Sequence, residues 1–497
     1  MAFDSLLPLW VLATSLVVAF IIFAIPEDRW KLRSFLNISA AVIKLFLVMV
    51  MTWGVFQGVF YQTHFEIAPG LVFSLKADPL SIVFAGLSSV LWLLTTIYAI
   101  GYLEGSPNRS RFFGFFSFCV ASTLGIALAG NLFTFLLFYE MLTLSAYPLV
   151  VHRGTRAALK AGRVYLIYTL SGGALLMLGV VMLYLNFGQM PFNSGGHFQQ
   201  VHEAEFPLLR LIFVLLIAGL AVKAALVPLH GWLPSAMVAP APVSALLHAV
   251  AVVKAGVFGI VRVVYDIFGI EFSYMLGVLQ PLGWLAAATI VYGSIRALYQ
   301  TDLKRRLAFS TVSQVSYITL GVTLFGPLGT IGAVVHLVHQ GIMKITLFFC
   351  AGNYAETLGI HRIDELNGVA KQMPWTSMAF TLGALGMIGL PPLAGFISKW
   401  YLGLGALESG MHWAVGVLVV STLLNAAYFL PILHRIWFCK PEVVDHTRHL
   451  KRPECSWLLL APPVITAVLI LLLGVFASWP MSPFSWATFM ANQEYGL

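Results

Sequence analysis

Long apolar runs recur along the whole chain, and they limit its fold more than any other feature. Each run is about 20 residues long, the length that a helix needs to cross the roughly 30 Å hydrocarbon layer of a membrane. Hydrophobic residues make up 59% of the sequence and charged residues 10%, whereas a soluble domain has about 25% charged residues. The chain is therefore predicted to be an all-α polytopic membrane protein. About fourteen transmembrane helices are expected, near residues 5–25, 34–58, 78–102, 111–130, 131–150, 163–186, 207–228, 242–266, 273–296, 307–325, 328–355, 374–405, 409–437 and 457–478.

Basic residues lie mostly on one side of the predicted spans. Most of the 28 lysine and arginine residues fall in the connections that follow odd-numbered spans, and the other connections hold little more than Lys76 and Arg210. Because Lys and Arg accumulate in cytoplasmic loops, the chain is placed in the inner (cytoplasmic) membrane with both termini outside. The start, MAFDSLLPLW, lacks a basic region, so the first span is expected to be retained rather than cleaved. The net charge of +8 reflects this topology, and no nucleic-acid partner is predicted.

The four cysteines, Cys119, Cys350, Cys439 and Cys455, form no CxxC pair and no cluster. This spacing argues against an iron–sulfur cluster, a zinc site or a disulfide framework. We therefore predict no cofactor and no metal site, and we expect any redox chemistry to occur in another subunit.

The longest outer connection of the first half runs from Tyr61 to Asp78. Apolar residues alternate with polar ones around Pro69-Gly70, a pattern that predicts a short β-hairpin on the outer face. A flexible loop is the alternative interpretation of the same residues.

Ionisable residues in the middle of apolar runs point to function. A charged side chain at the bilayer centre costs roughly 2.5–3.5 kcal/mol on insertion scales, so such residues are usually functional. Glu140 lies at the middle of the fifth span, and Lys223 lies well inside the seventh. Burial disfavours both charges whereas pairing favours both, so a Glu140–Lys223 pair that opens and closes would act as a proton switch. The structural alternatives are a carboxyl that only packs and a lysine that reaches the membrane surface.

Three further spans carry candidate relay residues. His248 and Lys254 share the eighth span, where their spacing places them about 240° apart around a continuous helix. In the eleventh span His336 and Lys344 are separated by eight residues and so lie on one stripe. A metal site is the alternative there, but no cysteine or carboxylate accompanies the histidines in that span. The complete candidate relay comprises Glu140, Lys223, His230, His248, Lys254, His336, His339, Lys344 and Lys399.

Prolines interrupt two spans beside a lysine. Pro228 follows Lys223, and Pro391-Pro392 precede Lys399. Irregular backbone at membrane depth occurs only where it is buried in protein or lines a wet cavity. The same break five spans apart predicts two inverted five-helix repeats, spans 4–8 and 9–13, with broken seventh and twelfth helices. The expected divisions are an N-terminal three-helix segment with the hairpin (1–110), the first repeat (111–266), the second repeat (267–437), and a loop with the last helix (438–497).

Four strings carry a resemblance to a known family: FYE at 138–140, KAALVPLHGWLPSAMVAPAPVSALLH at 223–248, DLKRRLAFSTVSQVSY at 302–317 and GLPPLAGFISK at 389–399. Over residues 60–440 the chain resembles the antiporter-like subunits shared by respiratory complex I, membrane-bound hydrogenases and Mrp-type cation/proton antiporters. The resemblance implies the fourteen-helix fold with inverted repeats and a hydrophilic axis at mid-membrane. It also implies that Glu140 and Lys223 are the coupled pair, that Lys254 is the central relay, and that Lys399 is the exit-side lysine.

The sequence departs from this family at two points. Gln340 stands where the family often has a second histidine, so the resemblance does not extend relay through that position. The longest complex I members continue into a lateral amphipathic helix, and this chain is not expected to be of that type.

The expected function is proton translocation within a multisubunit membrane complex. A Na⁺/H⁺ antiporter of Mrp type is favoured, in which the D-type component is nearest in size, and passage of Na⁺ through this chain is left open. The alternatives are a pumping subunit of a complex I-like NADH:quinone oxidoreductase or hydrogenase, and a coupling subunit of an inorganic-carbon uptake complex. The expected partners are other membrane subunits, the lipid bilayer and H⁺. No redox chemistry is assigned to this chain.

Overall fold

The structure, a computed structural model, describes residues 3–198, 201–440 and 454–497. The predicted cytoplasmic residues Arg448, Lys451 and Arg452 lie outside these ranges. The N-terminal half of the chain begins with α1 (Phe3–Ala24), α2 (Trp30–Phe56), α3 (Pro79–Tyr102), α4 (Arg109–Ala127), α5 (Leu132–Val150) and α6 (Arg156–Phe187).

A β-hairpin joins α2 to α3. Strand β1 (Tyr61–Ala68) pairs antiparallel with β2 (Leu71–Ala77), and Tyr61 lies opposite Ala77. The turn between the strands contains Gly70 at a φ of 74°, a left-handed conformation that favours glycine. The amide of Lys76 donates to the carbonyl of Leu128 at 2.7 Å, which attaches the hairpin to the connection between α4 and α5. The predicted hairpin is confirmed.

The helical backbone then breaks at the first predicted proline site. Helix α7 (Phe206–Ala224) ends at Ala225, and Pro228 cannot donate the next helical hydrogen bond because it lacks an N–H. The chain returns to helical geometry in α8 (Trp232–Ser235), α9 (Ala241–Ala249) and α10 (Val252–Arg262), which continues as a π-helical turn to Phe268.

The break between α9 and α10 corrects the sequence interpretation. His248 and Lys254 do not share one continuous helix, because Val250 and Ala251 depart from helical dihedrals between them. Their relative direction therefore does not follow from a 100° step per residue. No glycine or proline marks this position, and the whole membrane window of residues 241–268 is buried inside the protein. Tertiary packing, rather than local sequence, supports the break.

The remaining helices complete the bundle. They are α11 (Ile270–Met275), α12 (Leu279–Leu298), α13 (Leu303–Thr323), α14 (Pro327–Leu358), α15 (Pro374–Ile388), α16 (Ala394–Glu408), α17 (His412–Phe438), α18 (Trp457–Val475) and α19 (Pro483–Tyr495). The second predicted proline break lies between α15 and α16, where Gly389 has a φ of 95°.

Among the described residues, 11 helices are long and apolar enough to cross a membrane. The other predicted spans correspond to α12, to α13 and to the broken pair α15 and α16. Helix α13 is rich in Ser, Thr and Gln, and α15 and α16 have only 15 residues each. The fourteen-span count stays a prediction, because length and hydropathy alone do not identify broken or polar helices as membrane spans.

Helix α14 occupies the centre of the bundle. Its whole membrane window is buried, and α3, α9, α13, α15, α16, α18 and α19 pack against it. A helix that does not face lipid can carry polar side chains without exposing them to hydrocarbon, which makes α14 the natural position for the ionisable residues.

Candidate functional site

Lys223 and Glu140 lie on neighbouring helices but do not form an ion pair. Lys223, in the last turn of α7, is fully buried. Its Nζ donates to the main-chain carbonyl of Tyr139 and lies 3.3 Å from the centroid of the Tyr139 ring. The amine is therefore held by a carbonyl dipole and a ring face, next to the residue that carries the carboxyl group.

The carboxyl group of Glu140 packs against Gly173 on α6. A Cβ built on Gly173 would lie 2.0 Å from Oε1 of Glu140, so the carboxyl group would have to move if this residue carried a side chain. That oxygen is buried without a hydrogen-bonding partner among the described residues. The predicted contact between Glu140 and Lys223 is therefore not made in this structure, and their coupling stays a prediction.

Lys254 links α10 to the central helix. Its Nζ is fully buried and donates to the carbonyl of Leu337 on α14 at 2.7 Å. Helix α10 also approaches the end of α7, because a Cβ on Gly256 would lie 2.2 Å from the amide nitrogen of Ala224 and 2.7 Å from the carbonyl carbon of Lys223. Close packing at Gly256 therefore places the two lysine-bearing segments side by side.

The stripe on α14 meets polar residues from two flanking helices. The Nδ1 of His336 lies 2.8 Å from Oγ of Ser398 on α16, and its Nε2 lies 3.1 Å from the carbonyl oxygen of Gln314 on α13. Two turns further on, Nζ of Lys344 donates to Oγ of Ser310 on α13 at 2.6 Å. The predicted stripe therefore has partners at both ends.

Three other members of the candidate set are less connected. Both ring nitrogens of His248 are buried without a partner in the described chain, and its ring packs 4.6 Å from that of Phe348. His339 is buried, and its Nδ1 has no partner among the described residues. His230 lies in the break after α7, only partly buried, with its ring 5.0 Å from that of Tyr292.

Lys399 forms hydrogen bonds with the last carbonyl groups of α15, next to the proline break. Its Nζ donates to the carbonyl oxygens of Met387 at 3.0 Å and Ile388 at 2.8 Å. In a continuous helix these two carbonyls would accept from residues 391 and 392, and both of those residues are prolines without an N–H. The double proline therefore frees the two acceptors that Lys399 uses.

The four lysines of the site share one property, which is the kind of atom that accepts a hydrogen bond from each amine. Lys223, Lys254, Lys344 and Lys399 all donate to carbonyl or hydroxyl oxygens, and none forms an ion pair among the described residues. Such acceptors bind a neutral amine as well as an ammonium, whereas a carboxylate would fix the charge. Among the described residues, no contacting carboxylate therefore holds these lysines in their charged form.

Several residues of the site are absent from the set that the sequence predicts. Ser310 and Gln314 supply partners to the α14 stripe, Ser310 through its hydroxyl group and Gln314 through its main-chain carbonyl. The Ser- and Thr-rich sequence of α13 is the signal that could have found Ser310. Lys44 is fully buried at the middle of α2 and lies 3.8 Å from the centroid of the Trp92 ring. Lys44 could have been found in the sequence in the same way as the other lysines, because it is a charged residue at the centre of an apolar run.

A charged cluster at the outer end of α10 is also absent from the predicted set. Arg262 donates to both carboxylate oxygens of Asp78 at 2.8 Å and to Asp266 at 2.7 Å. Although burial opposes it, the Arg262 guanidinium lowers the pKa of Asp78, the residue that caps α3. Glu494 of α19 lines the same cavity of about 360 Å³. Burial, together with the negative charge of Asp266, raises the pKa of Glu494 to about 7.

This fold and site define a multi-pass membrane protein that carries buried, titratable side chains along its central helix. Residues 129–425 match the family described as NADH:quinone oxidoreductase/Mrp antiporter, transmembrane region. Residues 69–113 match the N-terminus of NADH-ubiquinone oxidoreductase (complex I) chain 5. Because the first match spans more than half of the chain, the protein belongs to this family of antiporter-like membrane subunits.

The relatives include subunits of quinone oxidoreductases and of cation/proton antiporters. The N-type subunit of NADH-quinone oxidoreductase from Desulforudis audaxviator is 37% identical over 416 residues, which are 81% of this chain and 82% of that protein. The D-type subunit of a Na⁺/H⁺ antiporter from Bacillus subtilis is 28% identical over 413 residues, with coverage of 82% of this chain and 81% of that protein. A chain of the Mrp complex from Dietzia sp. DQ12-45-1b superposes with a TM-score of 0.86 at 25% identity, and the match covers 99% of this chain and 98% of that one.

Proposed function

We propose that this chain translocates protons within a multisubunit membrane complex, and that the protons move along α14 between Lys223 and Lys399. The observation that carries the proposal is the set of buried lysines whose amines bind carbonyl or hydroxyl oxygens instead of carboxylates. A structural cation would be paired with an acid, because an unpaired buried charge is costly.

The proposed transfer is stepwise. A proton on Glu140 neutralises its carboxyl group, and a proton on Lys223 charges the neighbouring amine, so each state alters the affinity of the other site for a proton. Lys254 then connects α10 to α14, where His336 and Lys344 continue the path through their α13 and α16 partners. Lys399 ends the path at the broken helix. We place three histidines beside this path rather than on it: His230, His248 and His339.

The proposed architecture has two inverted five-helix repeats, fourteen spans and both termini outside. The two broken helices, each next to a lysine, support the repeats, and the one-sided distribution of basic loops supports the orientation. The four-part division of the chain is part of the same proposal. Exposed apolar side chains such as Ile43 and Phe46 of α2 suit contact with a bilayer.

The proposed assembly is a cation/proton antiporter of Mrp type. The fit to a chain of an Mrp complex over nearly the whole length supports it. The second candidate is a complex I-like oxidoreductase, favoured by the 37% identity to the N-type subunit of a quinone oxidoreductase. Mass spectrometry of the purified complex separates them: small antiporter subunits indicate the first, and iron–sulfur and quinone-site subunits indicate the second.

Replacement of Lys254 tests the proton path itself. We expect Lys254→Met and Lys254→Arg to assemble at normal abundance and to lose most proton flux in inverted membrane vesicles, because neither side chain exchanges a proton near neutral pH. Lys76→Met serves as the control, since Lys76 lies on the hairpin outside the path and should leave flux unchanged. Wild-type flux in Lys254→Arg would overturn the proposed relay.

A further inference from the structure

A second polar region lies in helices α1 to α3, outside the two proposed repeats. It is centred on Lys44, which is fully buried against the Trp92 ring. Its Nζ has no hydrogen-bonding partner in the part of the chain that the structure describes, and α2, α3 and α4 contain no Asp or Glu. A charged amine that lacks both an acid and an acceptor is not stable in dry protein.

Other buried polar side chains of α1 and α3 also have no hydrogen-bonding partner among the described residues. Lys44 lies close to the midpoint of α2, as Ser15 does in α1 and Trp92 does in α3. Buried polar groups in proteins almost always have a partner, and those that lack one within the protein are usually bound to water. The buried groups without a partner among the described residues are Ser15 Oγ, Ser88 Oγ, Ser89 Oγ, Trp92 Nε1 and Thr96 Oγ1.

The polar character continues from Lys44 toward the N-terminal end of α2. The buried face of α2 carries Asn37 and Arg33 on that side. The side chain of Asn37 accepts a hydrogen bond from Ser117 of α4 at 3.3 Å, and Arg33 donates to Ser110 of α4 at 2.7 Å. Two polar side chains, Arg33 and Asn37, therefore lie between Lys44 and the N-terminal end of α2, with Ala40 and Ala41 between Asn37 and Lys44.

The other half of the same face is apolar. Beyond Lys44 the buried residues of α2 include Val48, Met51 and Val55. The orientation proposed from the basic loops places the N-terminus of α2 on the cytoplasmic side. The N-terminal half of this face therefore offers polar groups to water, whereas its C-terminal half offers none.

We propose that Lys44 is a further proton-carrying site, which water reaches from the cytoplasmic face along the Arg33–Asn37 side of α2. The neutral amine takes a proton from a cytoplasmic hydronium ion and leaves water, and the resulting ammonium is stabilised by the Trp92 ring. The ammonium later releases that proton to a water molecule, which regenerates the neutral amine. The charged groups between this site and the surface are Arg33 and, near it, Glu27 and Arg109. The role in transport rests on the proposed function, whereas water access does not.

Cysteine labelling in the intact complex tests water access. The variants Asn37→Cys, Lys44→Cys and Val48→Cys are made in a background in which the four native cysteines are alanine. Oriented vesicles are then treated with a small water-soluble methanethiosulfonate from one side at a time. We expect labelling at positions 37 and 44 from the cytoplasmic side only, and none at 48, the matched control one turn further out. Labelling of position 44 from the outside, or protection of both 37 and 44 from both sides, would overturn the proposal.

Flux measurements test the proton role. We expect Lys44→Met and Lys44→Arg to assemble normally and to lose part of the cytoplasmic proton uptake, with a changed pH profile. If Lys44 were only a structural cation, arginine would restore the profile, and that result would overturn its role as a proton carrier. Lys254→Met is measured in parallel to test the main proton path separately. Retained flux in Lys254→Met would contradict the proposed function, whereas the labelling result does not depend on that function.

Discussion

Nζ of Lys399 donates to the carbonyl oxygen of Ile388 at 2.8 Å, and this contact exists because the chain has no N–H at position 392. A continuous helix would occupy that carbonyl with its own hydrogen bond. The proline break and Lys399 therefore depend on each other, because the break leaves free carbonyl oxygens that accept hydrogen bonds from the lysine amine at membrane depth.

Replacing both prolines should separate the amine from its acceptors. In Pro391→Ala/Pro392→Ala the new N–H groups compete for the carbonyls of Met387 and Ile388, and a continuous helix displaces Lys399. We expect normal complex abundance with reduced proton flux. Pro374→Ala, at the first turn of α15 where no such carbonyl is freed, is the control. Full flux in the double variant would mean that the break is incidental.

Neutralising the Glu140–Lys223 pair should abolish transport without preventing assembly. Glu140→Gln keeps the shape but cannot exchange a proton, and Lys223→Arg keeps the charge but does not readily deprotonate. We expect both variants, and Lys223→Ala, to assemble and to lose flux in inverted vesicles. A structural pair would behave differently: loss of one partner would cost about 3–5 kcal/mol and reduce abundance, while arginine would rescue.

The position of the Glu140 carboxyl group should depend on Gly173. A methyl group there would meet Oε1 at 2.0 Å, so Gly173→Ala should displace the flexible end of this side chain while leaving the backbone in place. Proton flux should fall while abundance stays near wild type, and shortening the acid in Gly173→Ala/Glu140→Asp should recover part of the flux. Gly86→Ala, where nothing lies within 4 Å of the added methyl group, should have no effect. An unchanged flux in Gly173→Ala would show that Glu140 does not need this position.

Docking of α19 should weaken as the pH rises. The pKa of Glu494 is raised from 4.5 to about 7 by burial and by Asp266, so the folded state holds the extra proton and its stabilisation is lost as the pH rises through about 7. The effect is at most about 3 kcal/mol. Hydrogen exchange of the α19 amides, corrected for the intrinsic rate, should accelerate between about pH 4.5 and about pH 7. Glu494→Gln should remove this dependence, and a persistent dependence would assign it to another group.

Membrane orientation can be tested with reporters. A fusion after Arg163 should report the cytoplasm, and a fusion after Leu497 should report the outside, because the basic connections alternate along the chain. A cytoplasmic signal at Leu497 would mean an odd number of crossings. The register of the inverted repeats would then be wrong.

Much of the site can be predicted because a charge inside an apolar run is visible without any structure. Depth within a span identifies Glu140, Lys223, Lys254 and Lys399, and prolines mark the breaks beside two of them. The same criterion should have identified Lys44. The break between α9 and α10 has no such signal, since Val250 and Ala251 are ordinary helix residues and only their buried surroundings hold them out of helical geometry.

Composition and hydrophobic run length determined the class of the protein, and proline position determined where helices end, because these effects depend on neighbouring residues and on the solvent. The partner of each lysine was decided only by tertiary structure. Lys223 could have bonded to Glu140, yet it bonds to the carbonyl of Tyr139, while the carboxyl group of Glu140 lies against Gly173 of α6. A hydrogen bond is set by distances of a few ångströms between helices that are far apart in sequence, and no local pattern encodes such a distance.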